Sequence, residues 1–358
     1  MKQNLKDQPV SVRKGDELNL NLLTAYLKEK IPALKGNIQL RQFPSGYSNL
    51  TYMLKTGEKE YVLRKPPMGV NIKSAHDMHR EFNMLCAIRE VYEKVPEPIF
   101  YCEDEKVIGT EFYLMERVNG IILRQKAPEG LSLNKHLMEN FSMALIDNLV
   151  AIHKIDVTQE AFNNIGKPEG YIKRQVEGWV KRYKNAATEE ITDMEVAAEW
   201  MLGNMPTEGA PSLIHNDYKY DNVVFSAENL SEITAVLDWE MSTVGEPLMD
   251  LGTTLAYWAD HDTHPALKAF SLTSLQGNLT RQQLAERYAL KSGRDISHIV
   301  FFYVYASYKV AVICQQIYAR YKKGFTKDKR FATLIILVKA CAENAVKALK
   351  YNRISHFG

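Results

Sequence analysis

The chain has 358 residues, enough for two lobes around sizeable cores, and its 46% hydrophobic and 25% charged composition is that of an ordinary soluble globular protein. A net charge of +2 gives no reason to expect nucleic acid or an anionic membrane as partner. Four scattered cysteines, Cys86, Cys102, Cys314 and Cys341, form no CxxC pair, which argues against a zinc site or disulfide framework and fits a reducing, cytoplasmic setting. The polar, mixed-charge residues 1–19 do not read as a signal peptide.

Residues 19–30 read as an opening helix, with Leu20, Leu23, Leu27 and Ile31 on one face and Pro32 as the stop. A strand-loop-strand-turn-strand meander follows: Ile38, Leu40 and Phe43, then Leu50, Tyr52 and Leu54, then residues 61–64 after the turn Thr56-Gly57-Glu58. The first loop carries Ser45, Tyr47, Ser48 and Asn49, whose backbone N–H groups and hydroxyls could cover phosphates, although a single glycine makes an ordinary hairpin the plainer reading. Arg64 closes the third strand on the face of Val62, and Lys65 is the competing cation on the opposite face. A helix over residues 77–90 turns Met78, Phe82, Leu85 and Ile88 inward and puts Glu81 on the flank as the partner expected for Arg64.

Pro96 and Pro98 break the chain, and two strands follow, at residues 99–102 and 111–118. The second runs into Met115, Glu116 and Val118, expected to form a hinge that offers backbone groups to a nucleotide base. Gly120 then lets the chain turn away. This divides the chain into lobes at residues 1–118 and 119–358. The second lobe reads as mostly helical: residues 139–153, 171–184, a helix ending near Trp200 and Leu202, 296–321 and 328–350. Lys173, Lys181 and Lys184 read as a solvated face rather than an anion site. The run 299–317 is interrupted by Ser307, Lys309, Gln315 and Gln316, so it reads as a buried helix rather than a membrane span.

The chemistry concentrates in Leu213-Ile214-His215-Asn216-Asp217-Tyr218-Lys219-Tyr220-Asp221-Asn222-Val223-Val224-Phe225. The polar centre is pinned by apolar residues at both ends. Asp217 and Asn222 stand five apart with Lys219 two after the aspartate, the spacing of a kinase catalytic loop, in which the aspartate orients the acceptor hydroxyl and the asparagine holds magnesium. A second apolar strand, Ala235-Val236-Leu237, delivers Asp238; a hairpin would return it beside Asn222, giving two hard oxygen ligands suited to Mg²⁺.

With these residues assembled, the chain resembles the aminoglycoside phosphotransferase and choline kinase superfamily, and most closely the branch related to the kinase-like domain fused to acyl-CoA dehydrogenases. The resemblance runs over residues 43–258. It is most specific at residues 215–222, at Leu237-Asp238-Trp239-Glu240 and at Gly245-Glu246-Pro247-Leu248-Met249-Asp250-Leu251-Gly252, with support from residues 61–67, Arg80-Glu81-Phe82 and residues 166–171. It implies an α+β, protein-kinase-like two-lobed fold: an antiparallel sheet with a helix, then a mainly helical lobe. It also implies transfer of the γ-phosphate of ATP, with Mg²⁺, to a hydroxyl of a small molecule. Hydroxyacyl-CoA-type, aminoglycoside-like and amino-alcohol acceptors stay open, as do ATP against GTP and the oligomeric state. Asp217 becomes the base, Asn222 and Asp238 the metal ligands, Lys219 a γ-phosphate contact and Asp250 a buried brace of the loop. Glu240 has no firm role; support of metal-bound water is one option.

Three departures bear on regulation. Arg64 stands where protein kinases have lysine, so phosphate contact becomes bidentate. Asn216 replaces the arginine that senses a phosphorylated loop, and Asp238-Trp239-Glu240 lacks a hinge glycine. Together they predict a constitutively formed site. Two rivals remain: a catalytically silent nucleotide-binding scaffold, and a metal-dependent hydrolase using His215, Asp217 and Asp238.

Overall fold

Alternating apolar residues build the first part of the chain. In the computed structural model, which describes residues 7–44, 49–67, 77–163, 165–269, 271–326 and 328–357, they form strands β1 (Gln39–Gln42), β2 (Leu50–Thr56), β3 (Lys59–Lys65), β4 (Pro98–Cys102) and β5 (Phe112–Glu116). These pair antiparallel in the order β1-β2-β3-β5-β4. Side chains on a strand alternate between faces, and the two faces of this sheet feed separate cores. Tyr52, Leu54, Tyr61, Leu63, Phe112 and Leu114 pack with Leu23 and Leu27 of helix α1 (Leu20–Lys30), which Asn19 caps. Met53, Val62, Tyr113 and Met115 face helix α2 (Met78–Arg89), whose N-terminus Asp77 caps, and join the large core shared with the helices that follow.

Those helices are α3 (Lys135–His153), α4 (Tyr171–Ala186), α5 (Thr192–Gly203), α6 (Pro247–Tyr257), α7 (Pro265–Lys268), α8 (Arg281–Ser292), α9 (Ile299–Lys322) and α10 (Leu334–Tyr351). Helix α3 starts four residues before the sequence suggested, at an Asn134 cap. Helix α10 starts later, because residues 329–333 form a tighter 3₁₀ turn first. Helix α9 is long and apolar enough to cross a membrane, yet most of it is buried between α10, α6 and α4, as the polar interruptions of the run implied. Short strands β6 (Ser212–Ile214) and β9 (Thr243–Gly245) pair with each other, as do β7 (Val223–Phe225) and β8 (Ile233–Val236).

The passage from sheet to helices corrects one expectation. Gly120 is not in the left-handed region. It is required because the backbone of β7 passes too close: a Cβ there would lie 2.4 Å from Phe225 O and from Val224 Cγ1. The contact is held by Ile121 and Phe225, which exchange two backbone hydrogen bonds of 2.8 Å each. The segment before α1 also reaches this region. Arg117 donates to the carbonyl of Asp7 at 2.7 Å and to Glu60 Oε2 at 2.6 Å, and Arg124 pairs with Asp7 at 3.0 Å.

Gly120→Ala is therefore expected to destabilise the protein by roughly 1–3 kcal/mol, the usual range for overpacking a filled site. Gly203→Ala, with nothing within 4 Å of the added Cβ, is the neutral comparison. Urea unfolding midpoints of the two variants check this; equal midpoints would show that β7 yields freely.

Candidate active site

Strand β6 ends with buried Leu213 and Ile214, and the chain then turns sharply at Asn216, whose φ is +66°. Asparagine tolerates this left-handed backbone better than the arginine found there in protein kinases. Asp250, in the first turn of α6, fixes the bend. Its Oδ2 accepts the His215 N–H at 2.6 Å, its Oδ1 accepts the Asn216 N–H at 2.7 Å, and His153 Nε2 lies 3.1 Å from Oδ2. The carboxylate is wholly buried. Burial pushes its pKa up, but the hydrogen bond and charge of His153 and the groups of His215 outweigh it and hold the carboxyl below its ordinary value.

His215 joins the two halves of the site. Its Nδ1 accepts the Asp217 N–H at 3.2 Å, and its Nε2 donates to Leu237 O at 2.9 Å. The ring packs at a tilt of 49° against that of buried Trp239, with centroids 4.8 Å apart. Both nitrogens are committed to backbone and the residue is fully buried, so it is not placed to bind metal. The hydrolase alternative loses its histidine.

Asp217 then faces the loop's own cation. Lys219 Nζ lies 2.8 Å from both carboxylate oxygens, and Asn222 Nδ2 donates to Asp217 O and Oδ2 at 2.9 Å each. Burial lowers the Lys219 pKa, but Asp217 more than restores it, so the side chain stays an ammonium; it sits 4.5 Å over the Tyr257 ring. Burial, the charge of Asp217 and a hydrogen bond to it raise the Tyr257 phenol well above its ordinary value.

The hairpin β7–β8 forms in the register expected from the sequence. Val223 opposes Val236, and Leu237 N donates to Asn222 O at 2.8 Å, so Asp238 emerges beside Asn222. Across the cleft from the sheet comes Arg64. Its NH1 lies 2.9 Å from Glu81 Oε1 and its NH2 3.0 Å from Asp238 Oδ1 and 3.6 Å from Glu240 Oε2. Burial favours neutral Arg64, but Glu81 and the neighbouring acids outweigh it and keep the guanidinium charged. Burial pushes the Glu81 carboxyl up, with Arg64 opposing. Lys65 lies on the other face of β3, also buried, where burial lowers its pKa and the charge of Asp16 partly offsets it. Of the two cations left open by the sequence, only Arg64 therefore reaches the site.

The donor set fits a hard divalent cation. The Asn222 nitrogen is taken by Asp217 and one Asp238 oxygen by Arg64. Asn222 Oδ1 and Asp238 Oδ2 have no partner among the described residues. At the hinge, Met115 is buried within the sheet and the Glu116 N–H is already bound to Glu97 O at 2.9 Å. The N–H of Val118, beyond the strand end, has no protein acceptor among the described residues. Ser45, Tyr47 and Ser48 lie outside the described residues. Asn49 turns its amide onto Glu240 Oε2 at 2.8 Å.

Four contributors were missed in the sequence. His153 reads in the sequence only as the end of a helix, and Tyr257 carries no signal of its own. Arg80, named in the sequence only as part of the stretch Arg80-Glu81-Phe82, donates to Glu240 O and Ser242 O at 2.6 Å each and so fastens α2 to the turn after Asp238. Lys309, noticed only as a polar break in α9, donates to Asn216 O at 2.8 Å. A lysine inside an otherwise buried helix was the available signal.

An antiparallel sheet with a helix on each face, leading into a helical body with an Asp–Asn loop and a hairpin aspartate, is the kinase-like fold of small-molecule phosphotransferases. The chain belongs to the phosphotransferase enzyme family, whose family model matches residues 39–286. It is 33% identical over 337 residues to human acyl-CoA dehydrogenase family member 11, covering 92% of this chain but 43% of that protein, so it spans less than half the length of this relative. A protein from Ralstonia eutropha JMP134 assigned as an aminoglycoside phosphotransferase superposes with a TM-score of 0.79 at 27% identity, over 94% of this chain and 99% of that one. A thermostable mutant of the aminoglycoside phosphotransferase APH(4)-Ia, in ternary complex with ADP and hygromycin B, shares the fold at 14% identity and a TM-score of 0.58, over 89% and 97% of the chains.

Asp250→Ala leaves two backbone N–H groups and His153 without their acceptor, at roughly 1–3 kcal/mol for each orphaned group. A depressed carboxyl pKa contributes stability above the unfolded value, near pH 4, that is lost as pH falls through the lower folded value. Unfolding curves at a series of pH values should thus show the variant less stable at pH 7 and with a shallower acid limb than wild type. Wild-type stability in the variant would remove Asp250 as the brace.

Proposed function

We propose that this phosphotransferase uses ATP and Mg²⁺ to phosphorylate a hydroxyl group of a small molecule, with a hydroxylated acyl thioester of the CoA type as acceptor class. The observation that carries the reading is the convergence on Asp217. Lys219 and Asn222 hold its carboxylate, the hairpin sets Asp238 beside Asn222, and the buried Arg64–Glu81 pair closes the cleft from the sheet. The acceptor class is supported by the naming of the relative, an acyl-CoA dehydrogenase family member.

In this mechanism Asp217 orients the acceptor hydroxyl and takes its proton late, as the P–O bond to the acceptor forms and that to ADP breaks. The acceptor oxygen must displace one Lys219 contact, which frees that ammonium to follow the transferring phosphoryl charge. Arg64, locked by Glu81, presents its guanidinium to the nucleotide phosphates. Asn222 Oδ1 and Asp238 Oδ2 are the groups that would hold Mg²⁺, which when bound supplies charge neutralisation for the triphosphate. The base of the nucleotide would rest at the Met115–Val118 hinge.

A small acceptor is favoured over a peptide. Protein kinases lay a peptide on the long segment after the metal-binding aspartate. Here residues 239–246 separate Asp238 from Pro247. They are consumed by the 3₁₀ turn Trp239–Met241 and by β9, paired along β6.

Asp217→Asn is expected to retain the thermal stabilisation given by Mg²⁺-ATP while losing turnover by roughly 10²–10⁴-fold. Thermal shift and transfer of labelled γ-phosphate to a panel of hydroxylated thioesters, alcohols and aminoglycosides check the two parts. Near-wild-type turnover by the variant would remove Asp217 as base, and no thermal shift of wild type at millimolar Mg²⁺-ATP would count against the nucleotide.

A further inference from the structure

Next to the catalytic loop, reaching it at Asn216, lies a pocket of about 560 Å³ between α4, α9 and the turn after Asp238. Its wall carries Arg80, Lys167, Arg174, Arg182 and Lys309, and Asn216, the residue before Asp217, forms part of its floor. Glu240 is the one acidic side chain lining it among the described residues, and its Oε2 lies against Asn49 at 2.8 Å and Arg64 at 3.6 Å. None of the five cations forms an ion pair with a described residue. Arg80 and Arg174 donate only to backbone carbonyls, and Arg182 lies 4.7 Å over the Trp179 ring, which also lines the pocket.

Lys309 is the built element among them. It is 2% exposed, and its one hydrogen-bond partner among the described residues is the neutral carbonyl of Asn216. A buried ammonium with two donors unused and no paired carboxylate is costly, and burial pulls its pKa down to about 8, with Asp217 and Asp250 opposing. An anion in the pocket would complete it. The four outer guanidinium and ammonium groups, spread around the mouth, exceed what one carboxylate needs and suit a polyphosphate.

We propose that this pocket is the acceptor's anion subsite: it binds a phosphate-bearing portion of the acceptor and thereby presents the hydroxyl to Asp217. The inference rests on the phosphotransferase reading above and adds the residues that select the acceptor. The same field repels a polyamine, so aminoglycoside-like and amino-alcohol acceptors are disfavoured.

Calorimetric titration with a non-hydrolysable ATP analogue and Mg²⁺ saturating tests it apart from turnover. The probes are inorganic pyrophosphate, coenzyme A and pantetheine, which shares the thiol arm of coenzyme A but has no phosphate. Pyrophosphate and coenzyme A should bind competitively with each other, and pantetheine at least tenfold more weakly than coenzyme A. Lys167→Ala and Arg182→Ala, both exposed side chains outside the catalytic loop, should each weaken coenzyme A by about tenfold, the usual scale of a hydrogen bond to a charged group, and leave the nucleotide affinity unchanged. Equal binding of coenzyme A and pantetheine, no binding of either phosphate probe, or a double variant that binds coenzyme A like wild type would overturn the proposal. Charge-dependent binding with no phosphate transfer to any hydroxylated thioester would instead leave the subsite standing and sink the phosphotransfer reading.

Discussion

A single buried carboxylate organises the catalytic half of this protein. Asp250 is a charge with no access to water, and only a full set of donors makes that tolerable. Two of those donors are consecutive backbone N–H groups, which a continuation of strand β6 would send to opposite sides. The chain at His215 and Asn216 must therefore bend, and the bend is what projects Asp217 forward. His215 and Lys309 hold the same bend from two further sides, through Leu237 O and Asn216 O. Position in the active site is thus inherited from the need to satisfy one anion in the core of α6.

The same logic accounts for the absence of any visible switch among the described residues. Asp238 takes a left-handed backbone, φ +66°, and Trp239 behind it is buried with its indole N–H on Val236 O at 3.0 Å. Arg80 holds the next two carbonyls of interest, and Asn216 Nδ2 reaches Met241 O at 3.1 Å. Every one of these partners is supplied by the fold itself. A regulated kinase leaves such groups to be ordered by a modified side chain.

The sequence was most readable where geometry is local. The hairpin that returns Asp238 to Asn222 follows from two short apolar runs, and the Arg64–Glu81 pair follows from the kinase pattern of a strand cation and a helix glutamate, with alternation and helix register picking the two residues. What could not be read were contacts between elements far apart in the chain. Tyr257 and Lys309 reach the loop only because α6 and α9 cross it, and periodicity says which face of a helix is inward, not what that face meets. Gly120 shows the same limit from the other side. A glycine near a proposed hinge suggests backbone freedom, whereas its actual reason is the nearness of Phe225, more than a hundred positions away. The lysines singled out on α4 were likewise judged by spacing, while the cations that line the pocket beside Asn216 come from several elements.

The pairing of Ile121 with Phe225 has a mechanical meaning. It ties the segment that leaves the sheet, by a single two-bond bridge, to the β7–β8 hairpin that sets Asp238 beside Asn222. Any rocking of the sheet against the helical body, such as nucleotide exchange demands, is geared through two short backbone hydrogen bonds to the residues that would grip the metal. Under the proposed chemistry, opening the cleft would also disturb the groups assigned to the metal.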